Sequence, residues 1–229
     1  MQNPLRLPMA ALALLATFAV TGCSDDSPSP VAPTPSARVM AVHASPDAPA
    51  VDLLVDGSVV GSGLAYPNHT GYLTVGAGTR NVKVNVAGTS NTVINDNVSV
   101  AGGLNYSVFA CGPVATIGTV VLVDDLTAPA AGKAHVRFVH LSPDAPAVDV
   151  AVQGGPVLFP NTAFKGSTAF APVDAGTYDL EVRLAGTTTV VLPLPGVSLQ
   201  AGKIYTAFAK GFAGGTGAQA LGAQIIVHN

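Results

Sequence analysis

The sequence predicts an all-β chain: two tandem Ig-like antiparallel β-sandwich domains behind a signal peptide and a Pro/Ser-rich tether. Three observations predict it. Short runs alternate apolar and polar residues at period two between turn residues, which is the pattern of half-buried strands. The chain repeats itself, one unit following another. Its composition suits strands joined by tight turns, with 25 Gly, 18 Pro, no Trp, 48% hydrophobic and only 10% charged residues among 229. Long surface helices need a charged face that this composition does not supply. A net charge of −3 and a pI of about 5.9 exclude the basic footprint that phosphate neutralisation requires, so no nucleic acid is expected as a partner.

Residues 1–22 read as a lipoprotein signal peptide, with Arg6, then an apolar run from Met9 to Val20, then Thr21 and Gly22 before Cys23. The run is short for a membrane span, which needs about 20 residues, and suits a signal core. Val20-Thr21-Gly22-Cys23 resembles the bacterial lipoprotein pattern. That resemblance implies a diacylglycerol thioether on Cys23, and two or three acyl chains hold a protein to a bilayer at about 0.8 kcal/mol per buried methylene. The expectation is a cell-envelope lipoprotein facing periplasm or cell exterior, with the membrane as partner through its anchor. Ser24 after the cysteine resembles the pattern sent to the outer membrane where a host has one. Residues 23–37 hold the lipidated Cys23 and a disordered Pro/Ser tether, too poor in apolar residues to fold. Cys111 then has no intramolecular partner and reads as a buried small hydrophobe, with a reactive thiol as the alternative.

The duplication follows. Val39 to Gly57 (VMAVHASPDAPAVDLLVDG) returns as Val136 to Gly154 (VRFVHLSPDAPAVDVAVQG). Gly76 to Thr89 answers Asp174 to Thr187, and Tyr106 to Gly112 answers Tyr205 to Gly211. Repeat 1 is placed at 38–123, a polar linker at 124–133 and repeat 2 at 134–229. In repeat 1, strands are expected at 38–43, 51–55, 70–75, 82–86, 98–100, 104–110 and 118–123. Their counterparts lie near 135–140, 148–152, 167–173, 180–184, 197–199, 203–210 and 220–227. Val82, Val84 and Val86 alternate with Asn81, Lys83 and Asn85, and Leu180, Val182 and Leu184 do the same in the second copy.

The most similar stretch runs from His43 to Asp52 and from His140 to Asp149. A structural reading accounts for each residue. Ser45-Pro46-Asp47 and Ser142-Pro143-Asp144 suit a type I turn, and Pro49 and Pro146 keep the preceding alanine extended. His43 and His140 share parity with apolar strand residues, so each imidazole is expected as a buried, hydrogen-bonded pin. Asp52 and Asp149 are expected on the solvated face or capping a loop. The alternative is a calcium or zinc site using His43, Asp47, Asp52 and their counterparts His140, Asp144, Asp149, since imidazole and carboxylate are competent ligands. Two intervening prolines make that spacing awkward.

His-x-Ser-Pro-Asp-Ala-Pro-x-Val-Asp, an apolar strand and Gly together resemble the signature of the domain of unknown function family numbered 4397, over residues 38 to 229. The resemblance implies secreted or lipid-anchored bacterial β-sandwich proteins with no established activity, and it carries over no catalytic residue. The inventory agrees. Thirteen acidic residues include a single Glu, Glu181, and of five histidines His69 and His228 fall in loop or terminal segments. The sequence has no Gly-x-Ser-x-Gly elbow, His-Glu-x-x-His or Cys-x-x-Cys. No enzyme and no cofactor beyond the lipid is expected. The leading expectation is a structural or interaction role toward an envelope protein or surface component, with a metal-dependent binding module as runner-up and a secreted hydrolase third.

Overall fold

The computed structural model describes residues 34–229, and Thr34–Asn229 form one compact unit. The segment read as a signal peptide and Cys23, with most of the stretch read as a tether, lie outside the described residues. The first repeat has eight strands: β1 (Ser36–Ala44), β2 (Val51–Val55), β3 (Ser58–Leu64), β4 (His69–Gly76), β5 (Gly78–Val86), β6 (Thr92–Val100), β7 (Asn105–Cys111) and β8 (Gly118–Asp124). The second has β9 (Lys133–His140), β10 (Val148–Val152), β11 (Val157–Thr162), β12 (Ala171–Asp174), β13 (Gly176–Leu184), β14 (Val190–Leu199), β15 (Ile204–Lys210) and β16 (Gly222–Val227). Short 3-10 turns at Val114–Thr116 and Gly217–Gln219 are the only helical pieces among the described residues.

Each repeat is a sandwich of two four-stranded sheets, ordered β4-β1-β7-β8 and β3-β2-β5-β6 in the first, and β12-β9-β15-β16 and β11-β10-β13-β14 in the second. Pairing is antiparallel except for β1 with β7 and β9 with β15, which run parallel. The chain passes between sheets within each motif, so the strand carrying the histidine and the one carrying the last Asp sit in opposite layers. Asp56 and Gly57 turn β2 into β3 with φ of 49° and 82°, the two positive values that a tight two-residue hairpin turn takes.

Alternation along the strands builds two sandwich cores. Ala37, Ala41, Leu53, Val84, Ile94 and Tyr106 fill the first, and Val136, Phe138, Val150, Phe159, Val182 and Tyr205 the second. The other parity is buried as well. Met40, Val42, Ala44, Phe109 and Cys111 join Val139, Leu141, Phe208 and Ile226 in a third core between the repeats. β1 is therefore covered on both faces, as its near-continuous apolar run requires.

Matched positions meet across this third core. Phe109 and Phe208, equivalent in the duplication, lie edge to face with centroids 5.9 Å apart. Lys210, beside Gly211, lies over the Tyr66 ring, while Phe164, the counterpart of Tyr66, approaches Gly112. The repeats are thus related as the halves of a two-fold dimer. Asp124, assigned to the linker on its polarity, is instead the last residue of β8 and fully buried in this interface, because a cation from the second repeat neutralises it.

Candidate functional site

The repeated motif was the first candidate, and its side chains turn inward onto the chain's own backbone. His43, at the end of β1, places Nε2 2.9 Å from the Pro49 carbonyl. A carbonyl only accepts, so Nε2 carries the proton and Nδ1 is left as the acceptor for the Ser45 amide at 3.4 Å. The ring closes the turn from 43 to 49. Burial lowers its pKa, partly opposed by the Pro49 bond, and keeps the imidazole neutral. His140 repeats the contact to Pro146 at 3.0 Å and is lowered for the same reason.

The remaining polar residues reach further. Ser45 Oγ donates to the Gly112 carbonyl at 2.6 Å, and Asp47 Oδ1 accepts the Val114 amide at 2.8 Å, so the turn holds the loop after β7. Asp144 accepts the Ala213 amide at 2.7 Å in the second copy, whereas the buried Ser142 hydroxyl has no partner among the described residues. Asp52 accepts the amides of Gly63 and Gly88, both at 2.8 Å. These bonds, Gly88 first, hold its carboxyl below the ordinary range. Asp149, which is buried, accepts the amides of Asn161 at 2.6 Å and Gly186 at 2.9 Å. One carboxylate thus ties the end of one neighbouring strand, β3 or β11, and the loop after the other, β5 or β13, to the strand between them.

This arrangement does not gather His43, Asp47 and Asp52, or His140, Asp144 and Asp149, about a common point. Among the described residues no three His, Cys, Asp or Glu side chains form a group able to hold a metal. The polar bonds of each motif copy stay within its own repeat. Asp149→Ala should lower stability by about 1–3 kcal/mol, because two backbone N–H groups lose their acceptor. Urea denaturation measures it, and an unshifted midpoint would contradict the bracing role.

A second cluster, which the sequence reading missed, lies in the interface between the repeats. Arg137 on β9 pairs with Asp124, the two side chains 3% and 0% exposed. Its Nε donates to Thr206 Oγ1 at 2.8 Å and Nη1 to the Val123 carbonyl at 3.1 Å. Tyr72 donates to Asp124 at 2.6 Å, as does Ser107 at 2.8 Å. His228 lies 2.8 Å from the Tyr72 hydroxyl through Nδ1 and 2.7 Å from Thr206 Oγ1 through Nε2. Because Tyr72 already donates to Asp124, it accepts from Nδ1–H, and Thr206 in turn donates to Nε2. The bonds close a ring through Arg137, Thr206, His228, Tyr72 and Asp124.

His228, in the terminal segment after β16, is therefore buried in this ring. Burial drives its pKa down to about 4; Asp124 opposes this while Arg137 and His69 add to it. The signal that could have found the cluster is the duplication itself. The strand ladders make Met40 equivalent to Arg137, Ser107 to Thr206, and Asp124 to His228. At two of these buried positions, Met40/Arg137 and Asp124/His228, the copies differ in chemistry.

Cys111 is fully buried, and burial pushes its thiol up to about 11, with Lys165 opposing. A thiol so protonated is a poor nucleophile. Cys23, expected from the sequence to carry the lipid, lies outside the described residues.

A family model described as a domain of unknown function (DUF4397) matches residues 37–151 and 142–227. No curated protein matches the chain.

Proposed function

Since the chain belongs to the DUF4397 family, whose description names no activity, we propose a role from the chain's own residues: a lipid-anchored cell-envelope protein that works as an interaction or structural module. The observation that carries this reading is the engagement of the motif. Its two imidazoles and four carboxylates bond backbone within their own repeat, which supports a brace for paired sandwiches more than a reaction centre. The Val20-Thr21-Gly22-Cys23 pattern and the Pro/Ser tether behind it supply the anchor. Two or more acyl chains on Cys23 would hold the protein durably at a bilayer, and the tether would keep the sandwiches clear of it.

Growth with an alkyne-tagged fatty acid tests the anchor. Wild-type chain should take up the label and sediment with membranes, whereas Cys23→Ser should do neither. Equal labelling of both would end the anchored reading. The interaction half is tested with the Cys23→Ser chain immobilised and exposed to envelope extract. Saturable retention of an envelope protein or surface polymer supports it, and retention of nothing saturable counts against it.

A further inference from the structure

The two sandwiches share a topology and differ in how their interiors close. In the first repeat the space between the sheets is split into cavities of about 30 and 20 Å³ that share Leu53, Val82 and Val108 in their lining. In the second the matching space opens to about 130 Å³. This happens although Phe138 brings a larger side chain than its counterpart Ala41.

Specific exchanges account for the opening. In the first sandwich Thr119 on β8 donates to Asp96 on β6 at 2.8 Å, a polar latch between the edge strands of opposite sheets. The ladders fix the counterparts: Asp96 pairs with Val82 as Leu194 pairs with Leu180, and Thr119 pairs with Ala110 as Ala223 pairs with Ala209. Leu194 and Ala223 cannot form that bond, and both line the second cavity. Deeper inside, Val108 is replaced by Ala207, which removes wall volume. β14 carries Pro193, Gly196 at φ 69° and two register shifts, features tolerated in an edge strand but weakening it as a closing wall. Ile225, 39% exposed, forms an apolar lip.

The lining is apolar except for two tyrosines, and both hydroxyls are engaged elsewhere. Tyr178 donates to the Asp174 carbonyl at 2.8 Å and Tyr205 accepts the Gln200 amide at 3.0 Å. Beyond the Tyr205 hydroxyl proton the lining offers a polar ligand no partner, and burying one would be unfavourable. Stacked sheets lie about 10 Å apart before their side chains are counted, which leaves a slot of single-chain thickness. Apolar cavities of about 150 Å³ in proteins stay dry and take up hydrocarbon ligands.

We propose that the second sandwich is a binding site for one hydrocarbon chain, such as the tail of a fatty acid. The chain inserts between β14 and β16 past Leu194, Ala223 and Ile225, and its polar end stays in solvent at the lip. The site does not depend on the anchoring reading, and its test leaves the anchor out.

The full chain with Cys23→Ser is titrated with cis-parinaric acid, a fluorescent fatty acid whose emission is read without interference because the chain has no Trp. One probe should bind per chain, saturably, and octanoate should displace it. Ala207→Val with Ala223→Thr, which installs the first repeat's residues at both places, should weaken binding by about tenfold or more, the loss expected when a few buried methylene contacts are denied. Val108→Ala in the first sandwich should leave affinity unchanged. Circular dichroism confirms that each variant is folded, and Ala207→Val alone serves if the double variant is not. Absence of saturable binding, equal binding by the folded cavity variants, or displacement by toluene but not by octanoate would overturn the proposal.

Discussion

Replacing Arg137 with Met, the residue its counterpart Met40 supplies, is expected to destabilise the protein by about 3–5 kcal/mol. Asp124 would then remain in the interface, its side chain 0% exposed, with no cation beside it. Removing one partner of a buried ion pair costs this much because the other charge keeps its desolvation penalty and loses its attraction. Thr206 would also lose the Nε donor, and the Val123 carbonyl its bond to Nη1. The double variant Arg137→Met with Asp124→Asn should recover part of the loss, since no isolated charge is left. Urea denaturation of the single and double variants measures both terms in one cycle. A single-variant cost below about 1 kcal/mol, the range of an exposed pair, would mean that the interface admits water and the ion pair does not hold the repeats together.

Acidification from pH 7 toward 4 is expected to remove up to about 3 kcal/mol through His228 alone. Its folded pKa, about 4, lies below the ordinary 6.5. Between those values the unfolded chain binds the proton and the folded chain does not, so stability is fully present above about pH 6.5 and declines as pH falls toward 4. Each unit of separation is about 1.4 kcal/mol. The ring of hydrogen bonds gives the reason in atoms. A protonated imidazole donates from both nitrogens, so Thr206 could no longer donate to Nε2 and would lose that acceptor. His43 and His140, also lowered by burial, act with the same sign. Asp52, Asp56 and Asp125 are held low instead, so their contribution is lost only below the ordinary carboxylate range near 3.8. Denaturation midpoints across pH 4 to 7 check this. His228→Gln should flatten the dependence, and an unchanged slope would remove His228 as its source.

The strand pattern and the duplication were legible because they rest on local signals. Alternation at Val82, Val84 and Val86 and turn residues such as Asp56-Gly57 report a half-buried strand and its end without reference to anything distant. β3 and β11 escaped notice where Gly61, Gly63 and Pro160 interrupt alternation, and most of β14 did so behind Pro193 and Pro195. The turn at Ser45-Pro46-Asp47 was also legible, but its partners Gly112 and Val114 were not, because they arrive through tertiary structure. The interface was hidden for a related reason. Runs such as VMAVHA and VRFVHL are apolar on both parities, which marks a strand covered on both faces but does not say by what. Arg137 in the middle of such a run, and Asp124 in a stretch read as linker, make sense only once each is seen beside the other.

The meeting of Phe109 with Phe208 places the repeats as if they had been two identical molecules clasped face to face. Identical subunits cannot change one side of such a clasp alone, since every substitution lands on both. Joined in a single polypeptide, the halves were free to specialise. Two first halves would set Asp124 against Met40, and two second halves would set Arg137 against His228, so neither self-pairing reproduces the charge match. In charge each half now matches the other and not itself, and the two copies have become mutually dependent.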